Sequence, residues 1–333
     1  MTECRRRYRA FSEELRREFG CRVQRVSVDA GFTCPNRDGS RGTGGCIFCG
    51  GKGSGSFGIR PELSVSDQLC HGREFLARRY GAAKFLAYFQ AYSNTYAPPE
   101  RLRALYDEAL AVPGIAGLIV GTRPDCLPPP VVELLAECAR TTYFWLELGL
   151  QSPLDRTLAL INRGHDFAAF EEAVRRCTGA GIRVCAHIIL GLPGESREEM
   201  LATAPILNRL GVAGVKLHQL HVMKGTQLEE MYRRGEVRCL GRDDYVGLVC
   251  DFLERLDPRI VIHRLVGDAP PGQLVAPRWS LRKGEVLGAI DGELARRGTR
   301  QGSALTAGSQ AVEKRSEEAG MLGASERKSE AYP

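Results

Sequence analysis

Residues 83–122 read AKFLAYFQAYSNTYAPPERLRALYDEALAVPGIAGLIVGT. Two apolar runs, AKFLAYFQ (83–90) and GLIVGT (117–122), flank a segment over 99–111 whose apolar residues recur at helical spacing. A short apolar run bounded by turn residues is the pattern of a strand buried on both faces, and a helix between two such runs makes the strands parallel.

The same unit recurs along the chain. Further strands are predicted at Arg22 to Val28, YFWLELGL (143–150), RVCAHIILG (183–191) and GVKLHQLHV (214–222). Helical stretches near 64–80, 129–139, 153–160, 167–179 and 196–209 fill the gaps. That makes six β/α units ending near residue 240, which suits a six-unit partial barrel better than a closed eight-unit one. A helix over 4–19 opens the chain, and a helix at 242–256 and a strand VIHRLV (261–266) follow the last unit. The expected division is a barrel over 1–240, a C-terminal extension over 241–302 that covers it, and a tail over 303–333. The tail residues are small, polar and charged, too poor in apolar surface to fold, and are expected to be disordered.

With 43% hydrophobic and 26% charged residues, the 333-residue chain can bury a sizeable core. It contains no apolar stretch long enough for a membrane span. The N-terminal MTECRRRYRAFSEELRREFG lacks the apolar centre of a secretory signal, so the reading is a cytoplasmic protein. Twelve cysteines in a reducing compartment are thiols, metal ligands or catalytic groups rather than disulfides. A net charge of +6 permits a nucleic-acid partner without arguing for one.

Three of those cysteines crowd into the loop 31–49, within CPNRDGSRGTGGCIFC (34–49), directly after the first strand. In parallel barrels, functional groups sit on loops at the C-terminal ends of strands, so these thiols are expected over the barrel mouth. Free thiols are one reading of Cys34, Cys46 and Cys49. A structural zinc is a second, with its fourth ligand drawn from Cys70 or His71. The third is an iron–sulfur cluster on three thiolates, with one iron open to a ligand.

Other strand ends carry FQAYSNT (89–95), GTRPDC (121–126), ELGLQS (147–152), INRGH (161–165) and GLPGE (191–195). Taken with the cysteine loop, the set resembles the radical S-adenosylmethionine (radical SAM) superfamily. Within it the chain is similar to the elongator-catalytic-subunit-like branch, and most of all to the YhcC/YtqA-type family. The stretches GFTCPNRDG, GTRPDC, ELGLQS, NRGH and HIILGLPGE carry that likeness.

The resemblance implies a [4Fe–4S] cluster on Cys34, Cys46 and Cys49, with S-adenosylmethionine as the second cofactor. It implies cofactor contacts from Gln90, Ser93 and Asn94 at the second strand end, Gln151 and Ser152 at the fourth, and Arg163 beyond it. His187, Gly191 and Gly194 follow on the fifth. Helix capping is the plain alternative for Gln151, Ser152 and Arg163. An electron donor such as flavodoxin or ferredoxin is implied as a partner. For the substrate, the resemblance points to tRNA and to wobble-uridine C5 side-chain modification. Arg264, Arg278, Arg282 and Lys283 are the candidate phosphate contacts, and Trp279 is either a stacking platform or packing. Radical chemistry on a small metabolite or porphyrin-like substrate is the alternative. A non-catalytic zinc or redox-sensing binding protein is the alternative from another class.

Overall fold

The six strands predicted for the barrel are present, and the strand predicted in the extension, VIHRLV, joins their sheet as a seventh. In the computed structural model, which describes residues 6–50, 60–269 and 272–305, strands β1 (Val23–Val28), β2 (Lys84–Phe89) and β3 (Ile115–Thr122) lie side by side in chain order. Next come β4 (Tyr143–Gln151), β5 (Val184–Leu190) and β6 (Gly214–Gln219), every pairing parallel. A two-residue β7 (Val222–Met223) follows, and then β8 (Val261–Arg264) pairs parallel with β6 and extends the sheet to seven strands. The segment assigned to the extension therefore contributes to the sheet itself. Its remaining strand, β9 (Leu274–Ala276), pairs antiparallel with β7 in a small separate sheet.

The sheet curls into a half-barrel whose edges, β1 and β8, do not pair with each other. The order of helices follows the β/α alternation: α1 (Phe11–Phe19) precedes β1, α2 (Val65–Tyr80) precedes β2, and α3 (Pro99–Ala111) and α4 (Pro129–Thr141) precede β3 and β4. A short α5 (Asp155–Leu160) and then α6 (Phe167–Gly179) lie before β5, with α7 (Arg197–Leu210) before β6. Beyond β7 come α8 (Gln227–Arg233), α9 (Arg242–Arg255) and, last, α10 (Lys283–Arg297). Ser196 and Glu199 form a capping box at the start of α7, and Asp166 caps α6, so these helices begin where their sequences satisfy the first free N–H groups.

One large apolar cluster lies between the sheet and the outer helices. A second fills the inside of the half-barrel, where Phe11 and Leu15 of α1 meet Leu86, Tyr88, Trp145 and Val261. Phe11 stacks on His263 at 4.0 Å and meets Trp145 edge-on at 5.8 Å, so α1 plugs the end of the half-barrel opposite the strand C-termini. Truncating a fully buried Trp such as Trp145 to Ala costs about 3–5 kcal/mol.

Two expectations are corrected. The first helix starts at Phe11, not residue 4: Ala10 is extended and bridges Ile262, and the Ile262 N–H donates to the Arg9 carbonyl at 2.8 Å. Burial of Tyr8 and Ala10 beside β8 overrides the helical pattern. The sixth strand ends at Gln219 rather than 222, where the chain turns to form β7. Of the expected tail, Ser303–Leu305 continue the ordered chain, and the rest lies outside the described residues. No helix among the described residues is long and apolar enough to cross a membrane.

Candidate active site

The strand C-termini open on a cavity of about 1210 Å3. A cleft for one drug-sized ligand holds roughly 300–1,000 Å3, so this one has room for a cofactor and a further group. Cys34, Cys46 and Cys49, the three thiols of the loop after β1, all line it. The loop is pinned at several points. Gly45 (φ 75°) turns the backbone, and its N–H donates to the Asn36 carbonyl at 2.8 Å. Ile47 is buried among Leu158, Ile161 and Leu228, and its N–H donates to the Ile161 carbonyl at 3.1 Å. The Cys49 N–H donates to the Cys46 carbonyl at 2.9 Å, so the CxxC segment is a turn that brings its thiols together.

A hydrogen bond from Cys49, helped by the Arg163 guanidinium and opposed by burial, pulls the Cys46 thiol down to about 5. The same contact and burial push the Cys49 thiol well above the ordinary range. A thiolate is the form that ligates a metal. The nearest cation is Arg163, whose Nη1 lies 3.6 Å from Cys46 Sγ.

Arg163 is buried, and its Nη2 donates to the Gly149 carbonyl at 2.7 Å, yet its Nε has no partner. Gln151, also buried, sits at φ 74° beside a bulge in β4, and its Oε1 has no partner either. Between them lies Gly149, where a Cβ would stand 2.6 Å from Arg163 Nη2 and from Gln151 Nε2. Buried polar atoms without partners are rare in folded proteins, so one on each of two adjacent cavity-lining side chains marks a place for a polar ligand. A planar guanidinium with a free N–H suits a carboxylate. Behind Arg163, the Arg123 guanidinium donates to its carbonyl at 2.8 Å and pairs with Asp125 at 2.8 Å, all deeply buried.

Deeper in the cavity the polar groups change character. Lys216 Nζ lies 2.5 Å from Glu147 Oε2, which also accepts from Tyr88 Oη at 2.6 Å. Burial would raise the Glu147 carboxyl, but Lys216 and His263 outweigh it and hold the carboxylate ionised. Burial lowers Lys216 to about 8. His187, His218 and His221 line the same space, and burial keeps each imidazole neutral, His221 at about 4.

The radical SAM superfamily pattern matches residues 37–204, and its radical SAM C-terminal domain matches 212–296. The protein belongs to the radical SAM superfamily. It is an enzyme of that superfamily, whose cofactors are a [4Fe–4S] cluster and S-adenosylmethionine. The chain is 46% identical over 297 residues to the uncharacterized protein YtqA of Bacillus subtilis, covering 89% of this chain and 92% of that one. Over 157 residues it is 30% identical to the tRNA uridine(34) acetyltransferase of Dehalococcoides mccartyi, covering 46% of this chain and 34% of that one. Among solved structures, archaeal Elp3 from Methanocaldococcus infernus superposes with a TM-score of 0.62 at 19% identity, over 84% of this chain and 64% of that one. That likeness establishes the fold.

For such cofactors the chain's own groups fit. Three thiols line one cavity, and Arg163 Nε and Gln151 Oε1 on the same cavity are buried without partners. Gln90, Ser93, Gln151, Arg163 and His187 line the cavity with the thiols. The other four expected contacts do not. Asn94 is fully buried and spends its amide on the Gly121 carbonyl at 2.8 Å. Ser152 donates to Glu195 and accepts from the Leu154 N–H at 3.1 Å, a turn-forming role ahead of α5. Gly191 (φ 88°) packs beneath Leu240, and Gly194 (φ 78°) makes the turn before α7.

The proposed phosphate contacts are also redistributed. Arg264 faces into the cavity, Lys283 pairs with Asp268 at 2.6 Å, and Arg282 lies 3.7 Å from Glu285. Arg278 is exposed. Trp279 is packing, with its Nε1 donating to the Leu240 carbonyl at 3.0 Å and its ring 5.2 Å from Tyr245. His218 and His221 both line the cavity, and β6 ends between them at Gln219. Sequence reasoning missed Arg123, Glu147 and Lys216. The signal was there: a lone charge inside an apolar strand, as in YFWLELGL and GVKLHQ, must find a partner across the sheet.

Proposed function

We propose that Cys34, Cys46 and Cys49 ligate the [4Fe–4S] cluster and that the enzyme uses it to modify the C5 side chain of the wobble uridine of tRNA. The three thiols on one cavity with the partnerless Arg163 Nε and Gln151 Oε1 support the first part. When bound, the cluster and S-adenosylmethionine would supply one-electron radical chemistry able to remove a hydrogen atom from an unactivated C–H bond. Arg163 would meet the carboxylate of the methionyl group with its free Nε–H, and Gln151 would offer its amide to the same molecule. His187, neutral and facing the cavity, makes a hydrogen bond to the ribose. A small flavoprotein or ferredoxin delivers the electron.

The name of the Dehalococcoides relative supports the tRNA part, as does a cavity larger than one cofactor needs. A base must leave its stack to reach such a site. Two measurements test the reading. Anaerobically reconstituted, dithionite-reduced protein is expected to form 5′-deoxyadenosine. Mass spectrometry of tRNA nucleosides from a deletion strain is expected to show one altered wobble-uridine derivative. Unchanged nucleosides would return the substrate to the small-metabolite class.

A further inference from the structure

Seven basic side chains and three carboxylates line the cavity. At the cysteine end, Asp125 pairs with Arg123, and the Cys46 sulfur lies beside Arg163. At the opposite end the cations outnumber their carboxylate partners. There Lys216 stands level with His187 across β5–β6 and with Arg264 across β6–β8, so three adjacent strands present one row of side chains. Arg25 of β1 faces the same space.

Of the three carboxylates, Asp268 pairs with Lys283 and Asp29 accepts from the Gly31 N–H at 2.9 Å. Glu147 serves Lys216. Among the described residues, no carboxylate pairs with either guanidinium. Arg264 donates from Nη2 to His187 Nε2 at 3.3 Å, and its buried Nε has no partner. Arg25 lies over the Tyr88 and Phe11 rings at 5.7 and 5.8 Å, and its buried Nη1 has no partner.

Arg25 Nη1 and Arg264 Nε are buried donors without a partner on half-buried side chains, and a fold keeps such donors where an anion completes the site. We propose that Arg25, Lys216 and Arg264 form a subsite for an oxyanion of the substrate, a carboxylate or a phosphate. The subsite rests on the reading of this cavity as the reaction site, and it is separate from the Arg163 cradle at the cysteine end. His187 accepts from Arg264 and so fixes the guanidinium plane toward the incoming oxygens. An oxyanion held there sets which part of the substrate faces the cysteine end.

Reconstituted full-length enzyme with S-adenosylmethionine present is titrated anaerobically with sodium acetate and with sodium phosphate. The thermal midpoint is followed at constant ionic strength, with sodium chloride as reference. One of the two anions is expected to raise the wild-type midpoint saturably, and Arg264→Met to weaken that effect at least about tenfold, the loss of one charge-assisted contact. A stronger response to acetate identifies a carboxylate, and a stronger response to phosphate identifies a phosphate. If neither anion exceeds chloride, or if Arg264→Met and Arg25→Met both respond as wild type does, the subsite is refuted. Formation of 5′-deoxyadenosine by the wild type is scored in parallel. Its failure overturns the functional reading, whereas failure of anion binding alone overturns only the subsite.

Discussion

Asn162 Nδ2 donates to the Gly45 carbonyl at 2.8 Å, which ties the turn carrying Arg163 to the loop carrying the three cysteines. The tie is reciprocal, since Asn36 Nδ2 donates to the Asn162 carbonyl at 2.5 Å. Asn162 holds φ 50°, a left-handed backbone that Asn tolerates better than most residues. The thiol loop and the cradle are thus built as one unit.

Asn162→Ala removes the donor and strains the backbone, at a cost of about 1–3 kcal/mol. Asn162→Gly removes only the donor. Both variants are expected to hold less iron after reconstitution and to lose the cluster faster in air, with Ala the worse. Iron content and the decay of absorbance near 400 nm report it. Wild-type iron retention in both would show that the loop needs no such tie.

Lys216 and Glu147 are a buried pair, and removing one partner strands the other. Glu147→Gln and Lys216→Met are each expected to destabilise by about 3–5 kcal/mol. The double variant is expected to lose less than the sum, because the second change removes the stranded charge. Denaturant unfolding of the four proteins completes the cycle, and strict additivity would dissolve the pair.

Acid is expected to weaken the fold before it touches most carboxylates. Burial pushes His263 and His221 down to about 4 and lowers His187 and His218 well below their ordinary range. In the unfolded chain these imidazoles titrate near 6.5. Between about pH 6.5 and 4 the unfolded state therefore binds more protons, so stability present at pH 7 is lost as pH falls through that window. Each histidine contributes at most about 1.4 kcal/mol per pH unit. His263→Phe, which keeps the stack on Phe11, is expected to flatten the slope by one histidine's share. Equal stability at pH 7 and 5 would sink the account.

The sheet was legible because its strands are buried on both faces and read as unbroken apolar runs, YFWLELGL being the clearest. β8 was harder to place: four residues set no periodicity, and its partner β6 lies some forty residues earlier in the chain. The start of α1 was hidden for a related reason. Tyr8 and Ala10 continue a helical pattern, yet they find more burial beside β8 than a further helical turn offers. At the site, the cysteines and Arg163 stood out through spacing and motif. Arg25 and Lys216 did not, since a cation in a strand announces only that it needs a partner, and the partner comes from another strand.

Gln151 gives the sharpest separation of fold from function. It holds φ 74° without being glycine, and its side-chain oxygen has no partner. A left-handed backbone costs an L-residue about 1–2 kcal/mol, a strain that persists where function requires the side chain. Gln151→Gly relieves that strain but removes the amide, whereas Gln151→Ala keeps the strain and removes it too. Gln151→Gly is therefore expected to unfold no earlier than wild type while binding S-adenosylmethionine at least about tenfold more weakly, the loss of one buried hydrogen bond. Gln151→Ala is expected to bind as weakly. Thermal midpoints and calorimetric binding, measured anaerobically on the reconstituted variants, distinguish the two effects. Wild-type affinity in Gln151→Gly would leave the strained residue with a purely structural task.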